Sequence, residues 1–537
     1  MRLDRAPVRL YTPPMPRRSI LTLRRISVAG LFLGALAIGG FLARPVATAS
    51  IGFDSQVAVV DFSRLLAGRH VTEFLTTTPK PLLTFIFGPL QLLTHDWRAL
   101  AWATLLAFAF AVVLTAELAR RVGGTPAWAF VGVGLAGSGA LLFDVGYSLA
   151  VPWALVGWSI AGLAVSQPRP RYGLAGIALL LATLARLETL LIVGLVALIL
   201  VGLELPIVAR TLERRAIGRP PRRAWLVLVG FGALPIMGLH DLLIYGDPLF
   251  WLTVAARYSA GYAHPILRPP ALLVLILTHY VDLWPLTFLA LVGVGKLLRV
   301  RAWALLTGLV AMGPGMCVFL LFLAFRRIYV PDRYLAPIDI AAIVAAGIGA
   351  AWLLGIGLAR IVRRFRATLG RAGSLGAAAL GISIVLAIVL TWPSGILDAS
   401  LRGTVRNSLA LAADVDQMVP ILRSTVDRTP GARTWPTAKG TPTLLLVPLP
   451  YRPRLSVDLD VPASILGDVS PWAGPPGGHP IAGQFVAHDR HADGSSPAFQ
   501  PYETTVAITL DGVRIVPVTS DPTRGWWIAE IQAIPSG

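Results

Sequence analysis

The chain has 537 residues, 55% of them hydrophobic and only 14% charged, and its mean hydropathy is +0.69. That balance lies outside the range of a soluble globular domain and puts the bulk of the chain in lipid. The formal net charge of +19 comes from 44 arginines and 3 lysines against 28 acids. The arginines gather in every second loop, so the charge is a topology signal that calls for anionic membrane lipid as a neighbour and gives no case for nucleic acid.

A hydrocarbon core of about 30 Å takes about 20 apolar residues as a helix. Windows of that kind fall at 26 to 43, 99 to 119, 126 to 143, 148 to 166, 172 to 186, 189 to 208, 225 to 245, 281 to 298, 303 to 325, 335 to 358 and 374 to 391. They predict an α-helical polytopic membrane protein of about eleven spans. A basic arm over residues 1 to 25 precedes the first window, which lacks a small-residue cleavage site and therefore reads as a retained helix. That arm, Arg120 and Arg121, Arg169 and Arg171, the run from Arg210 to Arg223, the group Lys296, Arg299 and Arg301, and the run from Arg360 to Arg371 mark alternate loops. The positive-inside rule makes those loops and the N-terminus cytoplasmic.

The remaining loops then lie on the outer face. The first spans 44 to 98 and carries Asp54, Asp61, Arg64, Arg69, His70, Glu73 and Lys80, followed by an apolar stretch at 81 to 94 that is too short to cross and reads as an interfacial or re-entrant helix. Arg186 and Glu188 sit at the outer junction of two spans, where either mutual pairing or contact with a substrate accounts for their cost in lipid. A second outer loop, 246 to 270, holds Asp247, Arg257, Tyr258, Tyr262, His264 and Arg268. A third runs from Arg326 and Arg327 through Asp332 to Arg333 and Tyr334. Three arginines on the outer side break the charge pattern. They fit either a phosphate held by guanidinium forks or side chains that snorkel to anionic lipid at a helix end.

From about residue 392 the composition turns to Pro, Gly and Asp without a spanning window. An odd number of spans puts this 392 to 537 segment outside, as a small β-containing domain headed by a helix at about 401 to 422. The runs 444 to 447 and 505 to 510 are strand-like, and Asp511-Gly512 is a hairpin signal. His488, Asp489, His491 and Asp493 lack defensible ligand spacing and read as a solvated loop; no cofactor is called for with certainty, and a divalent cation stays open. Trp526 and Trp527 read as core of that domain, with a sugar-stacking face as the alternative. Cys317, the only cysteine, lies in an apolar span and reads as packing.

Several of these residues fall in an ordered set of motifs: Phe53-Asp54 before Asp61-Phe-Ser-Arg64, Thr77-Thr78-Pro79-Lys80-Pro81, Leu-Ala-Arg186-Leu-Glu188, Tyr245-Gly246-Asp247-Pro248-Leu249, and Arg333-Tyr334-Leu335-Ala336-Pro337. The set, spread over residues 20 to 360, resembles the GT-C superfamily of membrane glycosyltransferases that use polyprenyl-phosphate sugars, which includes aminoarabinose, protein mannosyl and mycobacterial arabinofuranosyl transferases. Ser55 stands where many relatives carry a second acid, and Leu187 replaces the proline of their Arg-Pro-Glu signature. The C-terminal domain is outside the match.

The resemblance implies inverting transfer of a sugar from a polyprenyl-phosphate donor to a hydroxyl of a cell-envelope glycan, lipid or protein at the outer face of the cell membrane. It implies Asp54 as the base, with Lys80, Arg326, Arg327 and Arg333 at the donor phosphate and Asp61, Arg186, Glu188, Asp247 and Tyr334 as further site residues. General-base chemistry at the acceptor and cations at the leaving phosphate are what such a displacement needs. No Gly-rich nucleotide loop follows a strand, which agrees with a lipid-linked donor. Two other classes remain: a transporter or flippase of lipid-linked sugars, which inverted repeats would mark, and a catalytically silent relative that binds glycan.

Overall fold

The structure, a computed structural model, describes residues 17–43, 51–68, 70, 79–205, 221–261, 267–328, 330, 332–366, 399–429, 444–447, 451–461, 466–468, 483–493, 503–510 and 513–534. The span expected at 374 to 391, the loop residues Glu73, Tyr262 and His264, and most of the basic run from Arg210 lie outside these residues.

The helices in chain order begin with α1 (Arg17–Leu42), α2 (Phe53–Leu66), α3 (Pro81–Thr94), α4 (Arg98–Ala136), α5 (Gly139–Gly146) and α6 (Val151–Val165). Next come α7 (Tyr172–Ala185), α8 (Leu190–Glu204) and, after a 3-10 segment at Arg222–Gly232, α9 (Ala233–Tyr245). They continue with α10 (Phe250–Gly261), α11 (Pro269–Asp282), α12 (Trp284–Val300), α13 (Trp303–Val310), α14 (Met316–Phe325) and α15 (Ala336–Arg366).

Five stretches among the described residues are long and apolar enough to cross a membrane: Arg98–Ala136, Leu187–Glu204, Arg222–Tyr245, Trp303–Phe325 and Ala336–Ile356. The bent pair α11 and α12, which meet at 89°, makes a sixth if taken as one span. Ile26–Leu42, Pro81–Thr94, Val151–Val165 and Tyr172–Ala185 are apolar but shorter. Two of the predicted windows merge in α4, where Gly124 at φ 72° breaks the helical path. That backbone region is open to glycine at little cost. Part of the outer loop expected at 246 to 270 is helical, as α10.

The main core joins α4, α6, α7 and α15 around Phe108, Val112, Leu135, Leu155, Leu179 and Ile348. Large side chains cannot be accommodated where α12 crosses α15. A Cβ on Gly293 would stand 1.9 Å from the carbonyl oxygen of Ala345, and one on Gly349 would stand 2.0 Å from that of Leu289. Without a hydrophobic drive between helices in lipid, such backbone approach is how helices gain contact.

The C-terminal domain begins with α16 (Ala399–Arg428), longer than the helix predicted there, and adds α17 (Arg452–Asp458) and α18 (Arg490–Asp493). Among the described residues its six strands are β1 (Leu445–Val447), β2 (Leu466–Asp468), β3 (Phe485–Asp489), β4 (Ile508–Leu510), β5 (Val513–Asp521) and β6 (Trp526–Ala533), in the order β2-β1-β3-β6-β5-β4. β4 and β5 pair antiparallel with Leu510 opposite Val513, as the Asp511-Gly512 signal predicts. Trp526 and Trp527 are buried, as core residues. His488 and Asp489, by contrast, are not solvated. They lie buried on β3 because the strand pairs with β6 and covers them.

Candidate active site

The site starts from the N-terminal turn of α2. Phe53, Asp54 and Ser55 follow Gly52, whose N–H donates to the Tyr147 carbonyl at 2.8 Å. The Ser55 hydroxyl donates to the Ser148 carbonyl (2.7 Å), and the Gln56 carboxamide donates to the Ile51 carbonyl (2.7 Å). These bonds fasten the start of α2 to the turn after α5. Asp54 therefore sits in a fixed, largely buried place near the positive end of a helix dipole, which suits a carboxylate.

Lys80 precedes α3, whose first residue, Pro81, is well placed at a helix start. Its Nζ lies 2.8 Å from Asp54 Oδ2. Glu188 and Asp61 are also within electrostatic reach of Lys80. Arg186 ends α7 in an extended conformation and grips Glu188 with two bonds, Nη2 to Oε1 at 2.7 Å and Nε to Oε2 at 3.2 Å. The Arg186 guanidinium stands 5.5 Å over the ring of Tyr334, and the buried Asp144 on α5 adds a further negative charge toward it. A buried Arg that is paired with one acid and stands over an aromatic face is a held cation, which can meet an anion with little reorganisation.

Asp61 lies seven residues after Asp54, two turns along α2 on the same face. It is buried and takes a hydrogen bond from the Tyr245 hydroxyl on Oδ2 at 2.8 Å; Oδ1 has no partner. Burial pushes its carboxyl up to about 7, against the pull of His240 and the Tyr245 hydroxyl and with the push of Asp241. His240 bridges Asp241 (Nδ1 to Oδ1, 2.9 Å) and the Thr84 hydroxyl (3.3 Å). Asp241 in turn accepts the Trp251 N–H at 2.8 Å. A polar chain thus runs from α3 through α9 to α10 behind the Asp54–Lys80 pair.

Of the residues marked in the sequence, the fold brings together Asp54, Lys80, Asp61, Arg186, Glu188 and Tyr334. Asp247 holds the turn after α9 by accepting the Leu249 N–H at 2.9 Å. Arg326 and Arg327 are exposed on the turn after α14, with Arg327 at φ 57°. Arg333 belongs to the 3-10 turn Asp332–Leu335, which presents Tyr334 to Arg186. Asp144, His240, Asp241 and Thr84 were not singled out in the sequence. The signal was there for three of them, since an ionisable side chain inside an apolar stretch marks a functional site.

The C-terminal domain closes against this site. The Arg454 N–H donates to Gln56 Oε1 at 3.0 Å, and the Trp97 indole N–H donates to Asp458 Oδ1 at 2.8 Å. Arg454 is itself buried and paired with Asp416 and Asp458. Within the domain, Asp414, Asp489 and His491 could hold a metal ion, with one ligand atom from each lying within 4.8 Å of the others. His491 Nδ1 bonds Asp414 Oδ2 at 3.1 Å, and burial raises the Asp414 carboxyl.

No family model and no curated protein matches the chain. Among solved structures it is similar to ArnT from Cupriavidus metallidurans bound to undecaprenyl phosphate, at 15% identity over 93% of this chain and 98% of that one, with a TM-score of 0.44. It is similar to the apo oligosaccharyltransferase of Archaeoglobus fulgidus, at 12% identity over 88% of this chain and 72% of that one, TM-score 0.45. It is also similar to AglB from Archaeoglobus fulgidus in complex with an inhibitory peptide and a dolichol-phosphate, at 13% identity over 80% and 63% of the two chains, TM-score 0.45. At these identities and TM-scores the likeness assigns no residue a role.

Proposed function

We propose that the chain is a membrane glycosyltransferase that moves a sugar from a polyprenyl-phosphate donor to an acceptor hydroxyl at the outer face of the cell membrane. The observation that carries the reading is the Asp54–Lys80 ion pair of 2.8 Å in a largely buried setting, with Glu188 of the Arg186–Glu188 pair within electrostatic reach of Lys80 and Tyr334 under the Arg186 guanidinium. A base and phosphate-binding cations are the groups this displacement requires, and they converge here from separate parts of the chain.

In the resting pair Lys80 neutralises Asp54. A donor phosphate entering the site competes for Lys80 and frees the carboxylate. Asp54 then takes the proton of the acceptor hydroxyl as its oxygen bonds the anomeric carbon. The bond from that carbon to the phosphate oxygen breaks, and the electron pair leaves with the polyprenyl phosphate, steadied by Lys80 and by arginine from the Arg326 to Arg333 turn. One displacement from the face opposite the leaving group inverts the anomeric centre. The acceptor in this reading is a glycan, lipid or protein of the cell envelope. The N-terminus is cytoplasmic and the C-terminal domain stands over the outer face, where its α17 meets α2.

The test is transfer by the purified protein from a panel of synthetic polyprenyl-phosphate sugars. Transfer from at least one of them, with inversion at the anomeric carbon, is the expected result. Movement of intact lipid-linked sugar across vesicles without any transfer would replace this reading with the flippase.

A further inference from the structure

A cavity of about 270 Å³ lies between α4, α6, α7, α8, α13 and α15. Its wall is apolar, with Leu155, Leu179, Val196, Leu305, Met312 and Val344 from different helices. The hydroxyls of Thr115 and Ser159 bond each other at 2.6 Å, and Thr115 also donates to the Ala111 carbonyl. The Trp158 indole donates to Thr189 at 2.9 Å. These satisfied groups leave a space suited to hydrocarbon.

Arginines cluster in the segments that flank one end of this cavity. Gly162 and Val165 line it in the last turn of α6. Between them the Leu163 carbonyl accepts Arg121 Nη1 at 2.9 Å, and the Ala164 carbonyl accepts the Arg171 N–H at 3.0 Å. Arg171 stands next to the lining Tyr172, Arg222 and Arg223 come just before the lining Ala224, and Arg301 comes two residues before the lining Trp303. All five arginines are exposed. Among the described residues the acids nearby are Glu204, at the end of α8, and Glu117, which Arg120 holds at 2.7 Å. The other end of α7 leads to Arg186, 14 residues and about 21 Å from Tyr172 at 1.5 Å per residue.

We infer that this cavity is a binding site for an anionic phospholipid, with an acyl chain in the apolar space and the headgroup phosphate among Arg121, Arg171, Arg222, Arg223 and Arg301. Basic pockets between membrane helices take such headgroups, and a cationic rim discriminates against zwitterionic lipid. The excess of arginine at this end, remote from Asp54 and Lys80, is the reason to assign a phospholipid and not the prenyl chain of a sugar donor. The assignment does not depend on the transferase reading.

The test uses the purified chain in phosphatidylcholine nanodiscs doped with either phosphatidylglycerol or phosphatidylcholine carrying a photoreactive group near the end of one acyl chain. Labelling in 155 to 165, 192 to 200 and 303 to 312 is expected from the phosphatidylglycerol probe, at least about tenfold above the phosphatidylcholine probe; tenfold corresponds to about 1.4 kcal/mol of preference. Gly308 lines the cavity with nothing within 4 Å of its Cβ position, so Gly308→Leu projects a side chain into the space and should strongly reduce that labelling in a folded protein. Arg121→Glu with Arg171→Glu should erase the preference for phosphatidylglycerol. Equal labelling by both probes, or labelling untouched by Gly308→Leu, would overturn the inference. So would labelling chased by undecaprenyl phosphate but not by unlabelled phosphatidylglycerol, which would give the cavity to a prenyl chain.

Discussion

Asp54 and Lys80 rest against each other at 2.8 Å, so each is partly spent on the other until a phosphate arrives. Lys80→Ala should therefore lower kcat/KM for the donor by roughly ten- to a hundredfold, the scale of a lost charge-assisted bond, while Lys80→Arg should recover part of it. Steady-state kinetics over donor concentration checks this, and an unchanged kcat/KM in Lys80→Ala would remove Lys80 from the phosphate. Asp61 plays a different part. Burial lifts its carboxyl from an ordinary 3.8 to about 7, so in that interval the folded chain keeps a proton that the unfolded chain has released. Its contribution to stability is full below 3.8 and drains as pH rises to about 7, at up to about 1.4 kcal/mol for each pH unit crossed. Asp61→Asn stays neutral throughout, so its thermal midpoint should depend less on pH across this interval and exceed the parent's above pH 7. A parent midpoint that gains from Asp61 as pH rises would contradict the assignment.

Two helices of the C-terminal domain bear on the elements that carry the acids, α17 on α2 and α16 on α5. Trp97→Phe deletes the indole N–H that meets Asp458 together with part of a buried ring that faces Arg454, and should cost at least about 1 kcal/mol in docking. Gln56→Leu deletes both the bond to Ile51 and the bond from Arg454, and should speed hydrogen exchange over the first turns of α2. Exchange there unchanged from the parent would mean that the domain does not hold α2. None of this docking was legible in the sequence, because Gln56 and Arg454 lie 398 residues apart and no local pattern links them. What was legible is the local part. The strand-like run at 505 to 510 and Asp511-Gly512 pointed to the β4–β5 pairing, and short apolar length set 81 to 94 apart from the spanning windows. The merging of two windows in α4 was not, since both halves read as separate spans and only Gly124 marks the join. His488 and Asp489 look like loop in sequence because their neighbours are polar and Gly-rich, while their burial comes from pairing with β6.

At the scale of the molecule, apolar helices form one body, and a mixed domain caps the end where Asp54, Lys80, Arg186 and Glu188 meet. The sequence marks these four through an ordered set of motifs. Asp144, His240 and Asp241 fall outside those motifs; they stand out in sequence as ionisable side chains in apolar stretches, but the charge or hydrogen bond each supplies depends on tertiary approach. Charge placement predicts that the loop 209 to 224 faces the cytoplasm and that the domain after about residue 392 faces outward. Membrane-impermeant labelling of single cysteines introduced at positions 215 and 430, with Cys317 removed, should therefore succeed from opposite sides. Labelling of both from the same side would refute that topology. The claim on which the account rests is that Asp54 takes the proton of the acceptor. Asn at that position keeps shape and hydrogen bonding but no longer accepts a proton, so the most direct measurement is sugar transfer by purified Asp54→Asn from a polyprenyl-phosphate donor the parent uses. The account predicts a fall of about 10² to 10⁴ in rate with donor binding retained; transfer at a near-parent rate would contradict it.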